Sequence, residues 1–273
     1  MRSLAADFIL LLGTAGFILL LGASLFAAPV PMLPVAAGRF VVGSGPEERS
    51  WAYEHSPAWV RTQGWYDAWE LAPRGVPLAR FSLDARPVTQ GEYAAFVAAT
   101  GRRAPGISRT EYQTQGFLAH PYTEVRPYLW VDDAPPGDRL DHPVVLVDRE
   151  DARAYCAWQG KRLPTEFEWE AACRGPHGWR FPWGDSWDPG RVHIQATGTA
   201  AVAASRTPAD PSRSLEMLGN VFEWTSSEFG AGRAALKGCS WDDSVGSCRC
   251  AFRHGRPATS RHILIGFRCA RDG

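Results

Sequence analysis

Apolar and polar positions along this chain sort into stretches of different kinds. Residues 8–28 read FILLLGTAGFILLLGASLFAA, with no charge and no polar face. A run of 21 residues is long enough to span a bilayer. It also exceeds the apolar segment of a cleaved signal, about 7–15 residues. Pro29 follows Ala28, and bulky Leu25 and Phe26 precede it, which makes a poor cleavage site. Residues 1–28 are therefore expected to be an uncleaved signal-anchor, a single N-terminal transmembrane helix. Arg2 precedes the run and the next basic residue is Arg39, so the globular part is expected outside the cytoplasm, in the periplasm of a bacterium. Residues 29–37, PVPMLPVAA, predict an extended Pro-rich linker. A domain over residues 38–273 begins with GRFVVGS, a short strand bounded by glycines.

Helical periodicity returns three times, each time behind a capping signal. Thr89 and Glu92 open QGEYAAFVAAT, closed by Gly101, with Tyr93, Phe96 and Val97 on its apolar face. Asp148 opens REDARAYCAWQ, stopped by Gly160, with Ala152 and Tyr155 inward. Thr165 and Glu168 open EFEWEAACR, stopped by Gly175, with Trp169, Ala172 and Cys173 inward. Beyond residue 176 short strands and turns dominate. The fold class is α+β, one domain with a loop-rich C-terminal half.

Composition changes this picture in three ways. The charges balance, 29 basic against 29 acidic, so the basic excess of a nucleic-acid binder is missing. The 12 tryptophans favour a fold held by aromatic packing. Four of them, Trp51, Trp59, Trp65 and Trp69, fall in residues 45–79, an insertion that either packs on the domain or faces a partner; packing is the commoner fate. Six cysteines in an exported chain point to disulfides, whereas in the cytosol they would point to metal or catalysis. No histidine pair has zinc spacing, and neither a phosphate-binding glycine loop nor a Gly-x-Ser-x-Gly elbow is present. Asp242 and Asp243 read as a general acid and base or, more plainly, as solvated turn residues.

Seven segments in order, GRFVVGS (38–44), RPVTQGEYAAFVAATG (86–101), HPVVLVDREDARAYCAWQGKRLPTEFEWEAACRG (142–175), FPWGD (181–185), LEMLGNVFEWTSS (215–227), KGCSW (237–241) and IGFRCA (265–270), resemble the formylglycine-generating enzyme (sulfatase-modifying factor) family. The resemblance implies a complex, loop-rich variant of the C-type lectin fold. It pairs Cys156 with Cys269 and Cys173 with Cys250. It makes Arg249, Arg253 and Arg268 loop anchors, and His142 a structural residue at the entry to a strand.

In catalytic members of that family two thiols, five residues apart, follow a Gly-Gly-Ser-aromatic turn and bind copper(I), a soft ion that prefers thiolates. Here the turn is Gly238-Cys239-Ser240-Trp241; counting forward puts Asp243 at the first thiol and Cys248 at the second, whereas counting backward from Cys250 leaves the loop about three residues short with no cysteine at either thiol position. A carboxylate is a hard ligand, so copper binding is not expected. Cys239 and Cys248 are spaced either for a third disulfide or for a displaced thiol pair that binds metal. The resemblance also implies a calcium site at the GN-x-x-EW turn, formed by the Glu216 side chain, the Gly219 and Val221 carbonyls and the Glu223 carboxylate. A second family calcium site is not carried over, because the segment between Asp185 and Pro208 is shortened and His193 stands at a ligand position. The expected function is a membrane-anchored, non-catalytic accessory or binding subunit with a protein partner. The alternative is an oxygen-dependent oxidase that uses Cys239 and Cys248, with Asp243 beside them.

Overall fold

Met32–Val35 (β1), within the stretch read as an extended Pro-rich linker, is a paired strand. In this computed structural model, which describes residues 30–116, 119–202 and 216–273, β1 lies antiparallel to Phe81–Asp84 with Leu33 opposite Leu83. Pro34 is tolerated because β1 is the edge of its sheet, where a missing N–H breaks no inner ladder. The expected anchor over residues 1–28 lies outside the described residues. Among those described, no helix is long and apolar enough to cross a membrane.

Gly38–Val42 (β2) follows, and the Trp-rich insertion then forms three short helices, Pro46–Glu54 (α1), Ala58–Thr62 (α2) and Trp65–Trp69 (α3). Arg74–Leu78 (β3) returns antiparallel to β2. Trp51, Trp65 and Trp69 pack against the core, whereas Trp59 keeps 49% of its surface exposed. Charge pins the insertion down from beneath. The buried Arg249 guanidinium meets Glu70 and lies 3.1 Å from Glu48, and Arg174 reaches Glu48 at 3.1 Å.

After Phe81–Asp84 (β4) come the helices Gln90–Thr100 (α4), Arg109–Thr114 (α5), Tyr122–Val125 (α6), Arg149–Trp158 (α7) and Glu166–Arg174 (α8). Reciprocal capping boxes stand at Thr89, Asp148 and Thr165, and a further one, Ser108 with Glu111, opens α5. Each box satisfies two backbone donors that a helix start would otherwise leave open. Helix α4 sends Tyr93 and Phe96 against Tyr155 of α7, which in turn packs edge-on against Phe267. Burying each of these rings contributes roughly 1.5–3 kcal/mol.

The C-terminal half supplies Phe222–Gly230 (β5), Arg233–Lys237 (β6), Arg253–Pro257 (β7), Ile265–Gly266 (β8) and Ala270–Asp272 (β9). Four of them form a sheet in the order β7-β6-β5-β8, with β8 parallel to β5, and β9 completes the sheet β1-β4-β9. Two long-range disulfides tie the helices to this half. Cys156 on α7 joins Cys269, and Cys173 on α8 joins Cys250, each with Cα atoms 5.6 Å apart. Lys237, fully buried at the end of β6, is neutralised by Glu170 of α8 at 2.9 Å.

Candidate functional site

Strand β6 ends at Lys237, and the chain turns at Gly238 with φ of 82°. A Cβ there would stand 3.2 Å from the Met217 carbonyl and 3.3 Å from the Trp169 ring, so the turn requires glycine. It delivers Cys239 to Cys248. The two are joined as a third disulfide, Cα atoms 5.2 Å apart, and both are fully buried. The Gly219 amide donates to Cys239 Sγ at 3.0 Å, and the Trp241 amide donates to the Asn220 carbonyl at 3.0 Å. No cysteine of the chain is left as a free thiol.

Asp242 is exposed and Asp243 half-buried, as expected of turn residues, but the two are tied together by hydrogen bonds. Ser240 lies between them: its Oγ is 2.6 Å from Asp242 Oδ1 and 2.5 Å from Asp243 Oδ2, and its amide donates to the same Asp243 oxygen at 2.7 Å. One hydroxyl carries one proton, so it cannot donate to both carboxylates at once. Burial and the neighbouring Asp242 carboxylate push Asp243 up to about 7, which resolves the arrangement. When Asp243 is protonated it donates to Ser240, and Ser240 donates to Asp242; when Asp243 is ionised the single Ser240 proton serves one carboxylate at a time. Burial raises Asp242 too, but hydrogen bonds from His120 and Ser240 outweigh it and hold Asp242 below the usual carboxylate range.

The chain of groups continues outward. His120 Nε2 lies 2.9 Å from Asp242 Oδ2, and Nδ1 lies 2.8 Å from Glu124 Oε2. Two carboxylate partners make both ring nitrogens donors, so the hydrogen bond to Asp242 raises the His120 pKa. Asp243, Ser240, Asp242, His120 and Glu124 thus form one hydrogen-bonded line.

Asp243 and Asp242 form one wall of a pocket of about 370 Å³. Trp59, Val60 and Trp65 of the insertion and His254 and Arg256 of β7 also line it. Trp59 meets Trp65 edge-on at 4.7 Å, and Trp65 stacks on Trp69 at 4.4 Å. The His254 ring is held between Trp69 at 4.8 Å and Phe222 at 5.7 Å. Burial, then Arg256 and Arg233, drive the His254 pKa well below the usual histidine value, so the ring is neutral. Burial and Arg233 also lower Arg256, to about 10. A larger open groove of about 600 Å³ runs along α7, but its charges pair with one another, as in Arg149–Glu228 and Arg162–Glu168.

The turn read as a calcium site sits behind the disulfide. Glu216, Gly219 and Asn220 all have positive φ there, and a Cβ on Gly219 would stand 2.7 Å from the His193 amide. Two of its four candidate ligands, the Glu223 carboxylate and the Gly219 carbonyl, are already engaged. The Glu223 carboxylate accepts from Trp169 Nε1 at 2.7 Å and from Arg268 Nε and Nη2 at 2.7 and 2.8 Å. Arg268 Nη2 also donates to the Glu216 carbonyl at 2.8 Å, and the Gly219 carbonyl accepts from the Val221 amide. A guanidinium therefore holds the Glu223 carboxylate that a cation would need, and calcium would have to displace it. Among the described residues no cluster of three His, Cys, Asp or Glu is placed to hold a metal ion. The donors at the cysteine turn, a disulfide and a carboxylate, do not fit copper(I) either.

The three arginines singled out in the sequence are loop anchors: Arg249 on Glu70 and Glu48, Arg253 on Glu166 at 2.7 Å, and Arg268 on Glu223. His142 takes a structural contact with Thr199 Oγ1 at 2.9 Å. Sequence reasoning missed Ser240, His120, His254 and Arg256. Ser240 stands three residues before Asp243, a local signal, and His254 and Arg256 alternate on one face of β7; His120 carries no local signal.

A family model described as the sulfatase-modifying factor enzyme 1-like domain matches residues 27–273. The inactive C-alpha-formylglycine-generating enzyme 2 of Bos taurus is 33% identical over 240 residues, covering 72% of this chain and 79% of that protein. The formylglycine-generating enzyme of Streptomyces coelicolor is 32% identical over 252 residues, covering 72% and 80%. Identity thus does not separate inactive from active relatives. Among solved structures, PvdO from Pseudomonas aeruginosa superposes with a TM-score of 0.65 at 22% identity, covering 89% of this chain and 94% of that one.

Proposed function

The chain belongs to the sulfatase-modifying factor family, and we propose that within it the protein is a non-catalytic accessory or binding subunit. One observation carries the proposal: Cys239 and Cys248, the cysteines of the loop where the family's thiol pair is expected, are joined in a disulfide. Copper(I) needs soft thiolate donors, and this loop supplies none. The oxidase alternative requires both of those thiols free. Similarity to an inactive relative agrees with the proposal without deciding it.

Anchoring belongs to the same proposal. The uncharged run over residues 8–28 behind Arg2 supports a membrane-tethered domain held outside the cytoplasm. Three disulfides suit that oxidising side. A tethered domain with a half-exposed tryptophan beside its pocket suits a protein partner in a membrane complex. Balanced charge argues against nucleic acid.

The test has two arms. Purified protein is assayed for tightly bound copper and for conversion of a sulfatase-type cysteine peptide to formylglycine; neither is expected. Pull-down from solubilised membranes with mass spectrometry is expected to return a stoichiometric protein partner. One copper per chain, lost with activity in Cys248→Ala, would make the protein an oxidase.

A further inference from the structure

We propose that the face of the domain formed by the start of β1, Arg86 and the end of α7 rests on the headgroups of a phospholipid bilayer. The contact deepens the anchored reading of residues 8–28 and rests on it.

Reach is the first support. As the proposed anchor helix, 21 residues extend about 32 Å, which matches about 30 Å of hydrocarbon and puts Ala28 at its edge. Val30 is already buried, with only 9% of its surface exposed, and the Pro31 carbonyl accepts from the Ala85 amide at 2.8 Å. An extended chain covers at most about 3.6 Å per residue, so the step from Ala28 to Val30 spans no more than about 7 Å. The headgroup layer on each side of a bilayer is about 5–8 Å thick. A chain that leaves the hydrocarbon at Ala28 therefore enters the fold before it clears the headgroups. A free extended linker over residues 29–37 would have lifted the domain by about 28 Å.

The second support is the absence of slack at the entry point. Strand β1 pairs with β4 from Met32 opposite Asp84 to Val35 opposite Phe81. The Asp84 amide donates to the Cys269 carbonyl at 2.8 Å, and Cys269 is bonded to Cys156 on α7. The start of β1 is thus fastened to the core, and the domain meets the membrane in one orientation.

Surface chemistry is the third. Lys161 Nζ donates to Asp84 at 2.6 Å, which brings the end of α7 beside the start of β1. Arg86, two residues after Asp84, pairs with Glu92 at 2.8 Å. Gln159 and Gly160 are exposed at the end of α7, and half-buried Trp158 packs on Phe96 at 5.5 Å. Tryptophan, lysine and arginine are side chains that settle at the headgroup level. Lys161 and Arg86 each already hold a carboxylate, so the short tether sets the contact and anionic lipid is not required.

The purified full chain is reconstituted in phosphatidylcholine vesicles, and flotation reports whether it inserts. All six cysteines are in disulfides, so Gln159→Cys provides one thiol for a fluorophore. A nitroxide on the lipid headgroup is expected to quench most of its emission, with or without added phosphatidylserine. With about twenty Gly and Ser residues inserted between Pro29 and Val30, a reach of about 25 Å, most of that quenching is expected to disappear. In the chain without the new cysteine, hydrogen exchange over residues 158–161 is expected to be slower than in the chain that carries the insert. A chain that does not float overturns the anchored reading and the contact with it. A chain that floats but is not quenched, or is quenched equally with the insert, overturns the contact alone. So does equal hydrogen exchange with and without the insert, or quenching that appears only with phosphatidylserine.

Discussion

Arg249 and Glu70 stand 179 residues apart in the chain and meet as an ion pair that solvent does not reach. The guanidinium also takes Glu48 and the Gly246 carbonyl, so one side chain joins helix α1, the end of α3 and the disulfide loop. Removing one partner of a buried pair strands the other charge, at a cost of about 3–5 kcal/mol. Arg249→Met is therefore expected to lose that much in urea denaturation and to loosen the Trp-rich insertion, seen as faster hydrogen exchange over residues 46–69. A loss below about 1 kcal/mol would show that the pair does not hold the insertion.

Asp243 sets a pH dependence whose sign follows from its raised pKa. Folded protein keeps a proton that the unfolded chain, with a reference value of 3.8, gives up earlier. The stability tied to this proton is complete below pH 3.8 and is lost as pH rises through 7. Asp243→Asn stays neutral throughout. The variant is expected to gain on the parent between pH 5 and 8 by on the order of 1–2 kcal/mol, allowing for partial solvent screening. Thermal melts across that range check it; parallel curves would refute the raised pKa.

Cys156–Cys269 and Cys173–Cys250 are expected as linked peptides in a non-reducing digest. Cys156→Ala is expected to cost about 2–5 kcal/mol, because the bridge constrains 113 residues of unfolded chain. Recovery of these peptides as free thiols from protein in its own compartment would contradict the pairing.

Calcium is expected to leave the melting temperature unchanged, since Arg268 already neutralises Glu223. A melting temperature that rises with calcium and falls again with chelator would mean that the ion displaces the guanidinium. Arg268→Met should then bind calcium more tightly than the parent.

The orientation of the anchor has its own check. A C-terminal alkaline phosphatase fusion is expected to be active, which requires export. Full expression of an inactive fusion would reverse the topology inferred from Arg2 and residues 8–28.

What could be read from sequence was local. The capping boxes at Thr89, Asp148 and Thr165 need only four consecutive residues, and each marks a helix start. The strand at Met32–Val35 was hidden by Pro31 and Pro34, whose meaning depends on an edge position that only the sheet order reveals. The pocket was less visible still. Trp59, Asp243 and His254 lie on three segments brought together by tertiary packing, and RHGRP is too short and polar to announce a strand. The link from Asp242 to His120, 122 residues away, depends on the same packing, so the pair of aspartates read as an ordinary turn.

The three disulfides are nested: Cys239–Cys248 lies within Cys173–Cys250, which lies within Cys156–Cys269. A chain threaded through a translocon from its N-terminus presents Cys156 first and Cys173 second, and these two are not partners. An oxidant that joins thiols in order of emergence makes the wrong bond at its first opportunity. Only the innermost pair, nine residues apart, is native for sequential oxidation. If the chain is exported as proposed, its maturation calls for thiol–disulfide exchange after the C-terminus is delivered, and its yield in a secretion host is expected to track the supply of a disulfide isomerase rather than that of the oxidant.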